Sequence, residues 1–217
     1  MRAHLMGLVL GGALLAQPAS AATVTFSDAF ALSDVEISGV LSVSKFDTSL
    51  GTLTGVSWTI TGAIASVLGI TNTGAHPING SAFTSVDFDV SAAELSLGAS
   101  PDFSVFGTTG LVALGVGASA LFPVTATTTI TGSETPSSAF FGPGTIDLSF
   151  LTTTSFGGNG FGGDITISQA TDAGLMFEIT YTFDEFSTVP LPGSLAFLTG
   201  ALALAGLVRI RRAHAAT

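Results

Sequence analysis

The sequence contains no cysteine and very little positive charge. Without cysteine the chain can form no disulfide, so the fold must be stabilised by its own core. Four of the five basic residues are arginines close to the two ends of the chain: Arg2, Arg209, Arg211 and Arg212. Residues 22–188 therefore carry Lys45 and all fifteen acidic residues, a formal net charge of −14. A segment so acidic cannot neutralise phosphates, which excludes nucleic-acid binding.

Groups suited to catalysis are also scarce. Between the end segments there is one histidine, His76, and the whole chain has one tryptophan and one tyrosine. A zinc site of histidine and cysteine ligands cannot be assembled from this set. A Ser-His-Asp triad would have to use His76, which precedes Pro77 in a predicted loop, and no G-x-S-x-G elbow is present. A hydrolase built on two carboxylates stays open, but few aromatic platforms exist for a sugar, so we predict no enzymatic activity.

The N-terminus has the pattern of a signal peptide. Arg2 supplies a basic start, an apolar run follows over residues 5–16, and Pro18 ends it. Ala19 and Ala21 form the small-x-small site that signal peptidase reads, which predicts a signal peptide over residues 1–21. A permanent membrane helix is disfavoured because the apolar run is too short to span a bilayer.

The C-terminus has three consecutive parts. An extended segment, Val189–Pro190–Leu191–Pro192–Gly193, comes first; its prolines lack amide donors and fix the backbone, which exposes it to a processing enzyme. The apolar residues 194–208 follow, shorter than the roughly 20 residues of a full span and apolar on all faces, and predict a short transmembrane helix. The cluster Arg209, Arg211 and Arg212 is then expected to stay cytoplasmic, with all that precedes the helix outside.

This arrangement resembles the PEP-CTERM class of sorting signals in its VPLPA-type variant, with Gly193 where that variant usually has alanine. The resemblance, over residues 189–212, implies recognition by an exosortase, a membrane transpeptidase. It also implies export in a Gram-negative bacterium, from an inner-membrane-anchored precursor to the cell surface or extracellular matrix. The partners that we expect are the exosortase and signal peptidase during maturation, the membrane through the C-terminal helix, and an exopolysaccharide of the matrix.

Residues 22–188 are long enough for one domain and show strand patterns with almost no helix signals. The clearest strand, residues 175–183, alternates large apolar side chains with mostly polar ones, and residues 56–60 alternate in the same way around Trp58. We predict a single all-β antiparallel β-sandwich, either jelly-roll or immunoglobulin-like. Further strands are predicted over residues 23–29, 35–46, 67–72, 85–90, 124–131, 145–153 and 164–168.

Three segments between these strands stand out by composition. Residues 156–164 are dense in glycine and predict a loop. Residues 71–80 predict a polar loop that holds His76. Residues 107–121 mix glycine with apolar side chains, and their periodicity leaves a buried strand and a short helix equally open.

The same region carries a second resemblance. Residues 46–56, the Asn72–Thr73 turn, residues 141–148, the glycine-rich loop and the final strand are similar to the choice-of-anchor E domain, a family of bacterial surface domains found upstream of different anchoring signals. The similar motifs are strand and turn patterns. The resemblance therefore implies where the protein is located and assigns no functional residues.

Calcium is the small ligand that the acidic residues fit best, because hard cations bind oxygen ligands. No D-x-[DN]-x-[DN]-G loop is present in the sequence. The interpretation that we favour is that the carboxylates are scattered over a solvated face of the domain. We therefore predict no cofactor. We therefore predict a non-catalytic structural or adhesive surface protein, and keep a calcium-dependent carbohydrate-binding module as the alternative. The metal candidates are Asp87, Asp89 and Asp164, with Asp102, Asp147, Asp172 and Asp184 also at or near strand ends.

Overall fold

The computed structural model of the chain describes residues 21–97 and 102–186. The predicted signal-peptide core, the sorting motif 189–193, the apolar segment 194–208 and the arginine cluster lie outside the described residues. Within the described part, the chain forms strands and no helix, and therefore no helix that is long and apolar enough to cross a membrane. The strands are β1 (Ala21–Asp34), β2 (Ser38–Ser44), β3 (Gly51–Asn72), β4 (Ile78–Ser91), β5 (Phe103–Thr108), β6 (Val112–Leu114), β7 (Ser119–Glu134), β8 (Thr145–Asn159) and β9 (Ile165–Glu185).

The strands form two antiparallel sheets that pack face to face as a sandwich. Sheet A has the order β1-β9-β3-β7, and sheet B has the order β2-β8-β4-β5, with β6 pairing with β4 beyond β5. Consecutive strands alternate between the sheets except along β4 to β6. This alternation is the winding of a jelly roll, so the predicted antiparallel sandwich is confirmed, with the first of its two alternatives as the topology.

Alternation along β9 and β3 determines which side chains enter the core. On β9, Leu175, Phe177, Ile179, Tyr181 and Phe183 are all buried, whereas Met176 between them is exposed. On β3, Val56, Trp58 and Ile60 are buried beside them. The predicted inward faces of both strands are therefore confirmed.

The core has two apolar parts with polar side chains between them. The larger cluster surrounds the β9 aromatic residues, and the smaller one contains Leu68, Ile70, Ile78, Ala82, Val112 and Val124. Between them, the buried hydroxyls of Ser66 and Thr171 lie 2.6 Å apart and share a hydrogen bond across β3 and β9. All the residues of both clusters belong to the described part of the chain.

Two long strands were predicted as shorter pieces. Residues 56–60 and 67–72 belong to the single strand β3, and residues 164–168 and 175–183 are parts of β9, which begins at Ile165. Glycines inside these strands had indicated turns. Gly62 instead makes room for packing, because a Cβ there would lie 2.7 Å from the ring of Phe103, which stacks on Phe88.

Other boundaries were also wrong. The predicted loop 156–164 is strand as far as Asn159, because β8 continues its pairing with β4; a Cβ on Gly158 would meet the side chain of Ile167 at 2.6 Å. The predicted strand 35–46 is interrupted near Glu36, which has a positive φ of 63°, and β2 covers only Ser38–Ser44. The undecided segment 107–121 contains β6 and the start of β7, and β5 was not predicted.

Side chains bridge the two edges where the sheets approach each other. On one side, the backbone N–H of Ser42 on β2 donates to Oδ2 of Asp28 on β1 at 2.8 Å. On the other, the hydroxyl of Thr128 on β7 donates to the carbonyl of Ser104 on β5 at 3.1 Å. Free polar groups on edge strands invite pairing with another chain, and these two bridges satisfy some of them internally.

The described domain begins and ends at the same place. Ala21 on β1 pairs with Asp184 on β9, and Gly51, where β3 begins, pairs with Glu185. From this end, β3 runs for 22 residues, which at about 3.3 Å per residue is roughly 70 Å. The sandwich is therefore long, with one end near both boundaries of the described domain and the other far from them.

Candidate functional site

The sequence-predicted sorting residues are not among those that the structure describes, apart from Ala21. Ala21 is exposed at the start of β1, opposite Asp184. Ala19, the motif Val189, Pro190, Leu191, Pro192 and Gly193, and the cluster Arg209, Arg211 and Arg212 all lie outside the described residues.

The calcium candidates do not come together. Asp87 and Asp89 are exposed on the outer face of sheet B, where Asp87 accepts a hydrogen bond from Ser104 and Asp89 lies opposite Leu151. Asp164 lies between β8 and β9, and its carbonyl accepts from the N–H of Thr73 at 3.0 Å. Over residues 21–97 and 102–186, no group of three or more His, Asp or Glu side chains is placed to hold a metal ion.

A different acidic residue has the best-defined surroundings. Oδ1 of Asp147 on β8 accepts hydrogen bonds from the hydroxyls of Ser42 and Thr145, both at 2.8 Å. These two donors hold the pKa of the Asp147 carboxyl below its usual value, because they stabilise its charged form. Asp28 accepts a hydrogen bond from the backbone N–H of Ser42. The carboxylates of Asp28 and Asp147 therefore both bind Ser42, one at its backbone and the other at its hydroxyl.

Lys45 lies next to this cluster, at the end of the sandwich where the described domain begins. Its ammonium group is 3.4 Å from the Glu94 carboxylate. An open hollow of about 550 Å³ lies on the Glu94 side, and another of about 450 Å³ lies beside Lys45 itself. We call this end the acidic end. The first hollow is lined by Ser91, Ala92, Ala93, Glu94, Asp147 and Ser149, and the second by Lys45, Asp47, Thr48, Gly142, Pro143 and Gly144.

Two segments that the sequence marked by their turn patterns, 46–56 and 141–148, meet at the acidic end. Phe46 forms a parallel bridge with Phe141, and its N–H donates to the carbonyl of Phe140 at 2.8 Å. The Phe46 ring is fully buried and lies 5.8 Å from the ring of Tyr181. These turns therefore close one end of the core and position Lys45 at its rim.

The opposite end of the sandwich, which we call the distal tip, comprises residues 73–77, 109–121 and 160–164. The fully buried side chain of Asn72 connects the first two of these segments. Its Nδ2 donates to the carbonyls of His76 at 2.8 Å and Gly115 at 2.9 Å, and its Oδ1 accepts from the N–H of Gly74 at 3.0 Å. The N–H of Thr73 donates a hydrogen bond to the carbonyl of Asp164, which connects the third segment to the first.

His76 is placed in this tip as an exposed residue. In the described part of the chain, the structure gives its imidazole no hydrogen bond to a serine or to a carboxylate, and the contact that it makes is through its backbone carbonyl. The sequence marked the Asn72–Thr73 turn, but the role of Asn72 in joining loops that are distant in sequence was missed. An asparagine at the end of an apolar strand was the available signal.

No protein-family model matches the chain, and a search of curated proteins found no match. Among solved structures, one of infectious bursal disease virus, Gx strain, is similar at 16% identity with a TM-score of 0.16, covering 78% of this chain and 37% of that one. A structure of the T13 particle of the same virus is similar at 12% identity with a TM-score of 0.16, covering 84% of this chain and 46% of that one. The chain thus spans less than half the length of these structures, and scores this low carry no argument about its fold or its function.

Proposed function

We propose that the chain is an exported, exosortase-processed protein of the cell surface or extracellular matrix, with a non-catalytic structural or adhesive role. The observation that carries the proposal is the pairing of Ala22 with Phe183. These residues adjoin the predicted signal peptide and the approach to the predicted sorting motif. A domain held at this end would present its distal tip roughly 70 Å away.

The surroundings of the acidic groups support a non-catalytic role. Asp147 is bound by hydroxyl groups that stabilise its ionised form, and Glu94 is paired with Lys45. A general acid or base needs a pKa near the working pH. The lowered pKa of Asp147 moves that carboxyl away from this range.

One observation favours the alternative, a calcium-dependent carbohydrate-binding module. The open hollow beside Glu94 presents the side chains of Ser91, Asp147 and Ser149, groups that suit a hydroxyl-rich ligand. Calcium, however, takes six to eight oxygen ligands, and the described residues bring no three acidic side chains together for it. The structural role therefore remains the first proposal.

The test replaces Pro190 and Pro192 with alanine in cells with and without the exosortase. The signal peptide is unchanged, so export continues, but we expect an unprocessed form to accumulate in the inner membrane. Fractionation followed by mass spectrometry of the mature C-terminus measures this. Pro143→Ala, at an exposed proline between β7 and β8, is the matched control and should be processed normally. The same mature C-terminus in wild type and double variant would refute the proposal.

A further inference from the structure

The sequence contains two Asn-Gly dipeptides, Asn79–Gly80 and Asn159–Gly160. An asparagine that precedes glycine can react with its own backbone, because the amide nitrogen of the glycine can attack the carbonyl carbon, Cγ, of the asparagine side chain. Glycine permits this approach since it has no Cβ to obstruct it. The reaction also needs a backbone that is free to move, and the fold holds the two dipeptides differently.

Asn79–Gly80 lies inside a paired strand. Both residues belong to β4, and Gly80 is buried opposite Val112 of β6. Two residues further along, the carbonyl of Ala82 accepts a hydrogen bond from the N–H of Thr109, on the same side of β4. Alternate residues of an antiparallel ladder direct their N–H groups toward the same neighbour, so the N–H of Gly80 is directed toward β6. Attack on Asn79 therefore requires β4 to open locally first.

Asn159–Gly160 lies where a strand ends. Asn159 is the last residue of β8, opposite Ser81, and Gly160 begins the turn toward β9. Both residues are exposed. Gly160 has a positive φ of 81°, a conformation that costs glycine little. Among the described residues, the structure gives the N–H of Gly160 no backbone carbonyl as an acceptor. The attacking nitrogen is therefore not held by a ladder.

The two dipeptides are neighbours in the fold. A Cβ built on Gly160 would lie 3.6 Å from Cα of Gly80 and 3.8 Å from the carbonyl oxygen of Asn79. They are therefore exposed to the same solution and to nearly the same local charge. What differs between them is how the backbone is held, so each dipeptide is a control for the other.

We propose that Asn159 is a site of spontaneous deamidation, whereas Asn79 is protected by its place in β4. The nitrogen of Gly160 forms a bond to Cγ of Asn159, and the side-chain nitrogen leaves as ammonia together with the proton that the Gly160 nitrogen has lost. The product is a cyclic imide, a succinimide. Water then adds to one of its two carbonyl carbons and opens the ring. One direction of opening gives aspartate, and the other gives isoaspartate, in which the backbone runs through the former side chain.

The modification changes the surface beside the distal tip. Either product adds one negative charge to the −14 of residues 22–188, near a tip that contains a single acidic residue, Asp164. Isoaspartate also lengthens the backbone by one carbon atom at the last residue of β8, where the chain pairs with Ser81. The final pair of this ladder and the turn 160–164 would then be displaced. This end of the domain therefore changes with the age of the molecule, and the reaction does not depend on the proposed function.

The experiment incubates the purified full chain, in a mild detergent, at neutral and at mildly alkaline pH. Mass spectrometry of chymotryptic peptides measures the mass gain at each asparagine. We expect Asn159 to react about tenfold faster than Asn79 or more, because the ladder must open before Asn79 can react. The rate should rise with pH, since the attacking nitrogen must lose its proton. Isoaspartate, labelled by an isoaspartate methyltransferase, should accompany aspartate because water can open the ring in both directions.

Unfolding the chain in concentrated urea supplies the matched comparison. The strand no longer protects Asn79 there, so the two dipeptides should react at comparable rates. Asn159→Gln should stop the reaction at position 159, since glutamine would have to close a larger ring, and should leave the rate at Asn79 unchanged. An unchanged melting temperature would show that this variant is folded.

Three results with the wild-type chain would overturn the proposal. The first is no mass gain at Asn159 in the folded chain under conditions in which the unfolded chain reacts. The second is a rate at Asn79 equal to or above that at Asn159 in the folded chain. The third is a mass gain at Asn159 without isoaspartate, which would mean direct hydrolysis of the side chain and no attack by the Gly160 nitrogen.

Discussion

The phenol of Tyr181 on β9 donates a hydrogen bond to the backbone carbonyl of Ser44 on β2, 3.1 Å away, and so connects the two sheets at the acidic end. The Tyr181 side chain is fully buried, and its ring lies 6.1 Å from Phe26 in an edge-to-face arrangement. Burial raises the pKa of Tyr181 to about 12, and the Glu94 carboxylate adds to the rise. The neutral phenol is therefore favoured by the folded state.

This pKa shift predicts a loss of stability in alkali. An unfolded tyrosine ionises near pH 10, so the contribution of Tyr181 is complete below that pH and is lost as the pH rises toward about 12. Thermal unfolding followed from pH 8 to pH 12 should show a steeper fall for wild type than for Tyr181→Phe. Parallel curves for the two proteins would contradict the assignment. At neutral pH the variant should lose about 1 kcal/mol, the usual net value of one hydrogen bond.

The inward face of β9 predicts unequal effects from two nearby substitutions. Phe177→Ala removes a fully buried ring and should cost about 3–5 kcal/mol of unfolding free energy. Thr180→Ala, on the outer face, removes a hydroxyl that bonds Thr25 at 2.8 Å in an exposed position and should cost under about 1 kcal/mol. Urea unfolding measures both values. Similar losses would mean that the assigned face is wrong.

Asn72 predicts a local effect at the distal tip. Asn72→Asp keeps the size of the side chain but removes the amide donor to His76 and Gly115, and it buries a charge. We expect a loss of about 2–4 kcal/mol, since unpaired buried polar groups cost roughly 1–3 kcal/mol each. Hydrogen exchange should rise first in residues 73–77 and 115–118. Asn79→Asp, at an exposed residue of β4, is the matched control and should leave exchange in those loops unchanged.

The effect of Ca²⁺ on the melting temperature distinguishes binding at a specific site from general screening of the domain's charge. A site saturated at a hundredfold excess over its dissociation constant would add about 2.7 kcal/mol, whereas screening depends on ionic strength alone. We expect Ca²⁺, Mg²⁺ and NaCl of matched ionic strength to shift the melting temperature equally. A shift of several degrees in Ca²⁺ alone, lost in Asp87→Asn with Asp89→Asn, would favour the carbohydrate-binding alternative.

The sequence was most informative where alternation was long and uninterrupted. The face of β9 could be read directly because a period of two over residues 175–183 admits one orientation in a half-buried sheet. The lengths of the strands could not be predicted in this way, because a glycine in the sequence is compatible both with a turn and with a tightly packed position inside a strand. Gly62 was interpreted as the end of a strand, although it lies within β3, where the rings of Phe88 and Phe103 leave no room for a side chain.

The difference in charge between the acidic end and the distal tip could be predicted from the sequence only in part. The sequence has no Asp, Glu, Lys or Arg from Thr48 to Val86 or from Phe103 to Ser133. That these stretches meet at the distal tip depends on the register by which β3, β4 and β6 pair. The same applies to Lys45 and Glu94, which form their ion pair through contacts between loops far apart in sequence. Pairing of this kind depends on tertiary structure, which local patterns do not encode.

β9 is a long strand with a neighbouring strand on each side, and this position affects how the domain resists a pulling force. β9 lies between β1 and β3, and its last residues pair with Ala21 on one side and Gly51 on the other. Antiparallel hydrogen bonds run perpendicular to the strands, so a pull at Phe186 along β9, with the far end of the sandwich held, loads many of them in shear at the same time. They must then break together and not one after another, as they would in unzipping. A domain with this geometry would withstand tension between a point of attachment at Phe186 and a load at its far end.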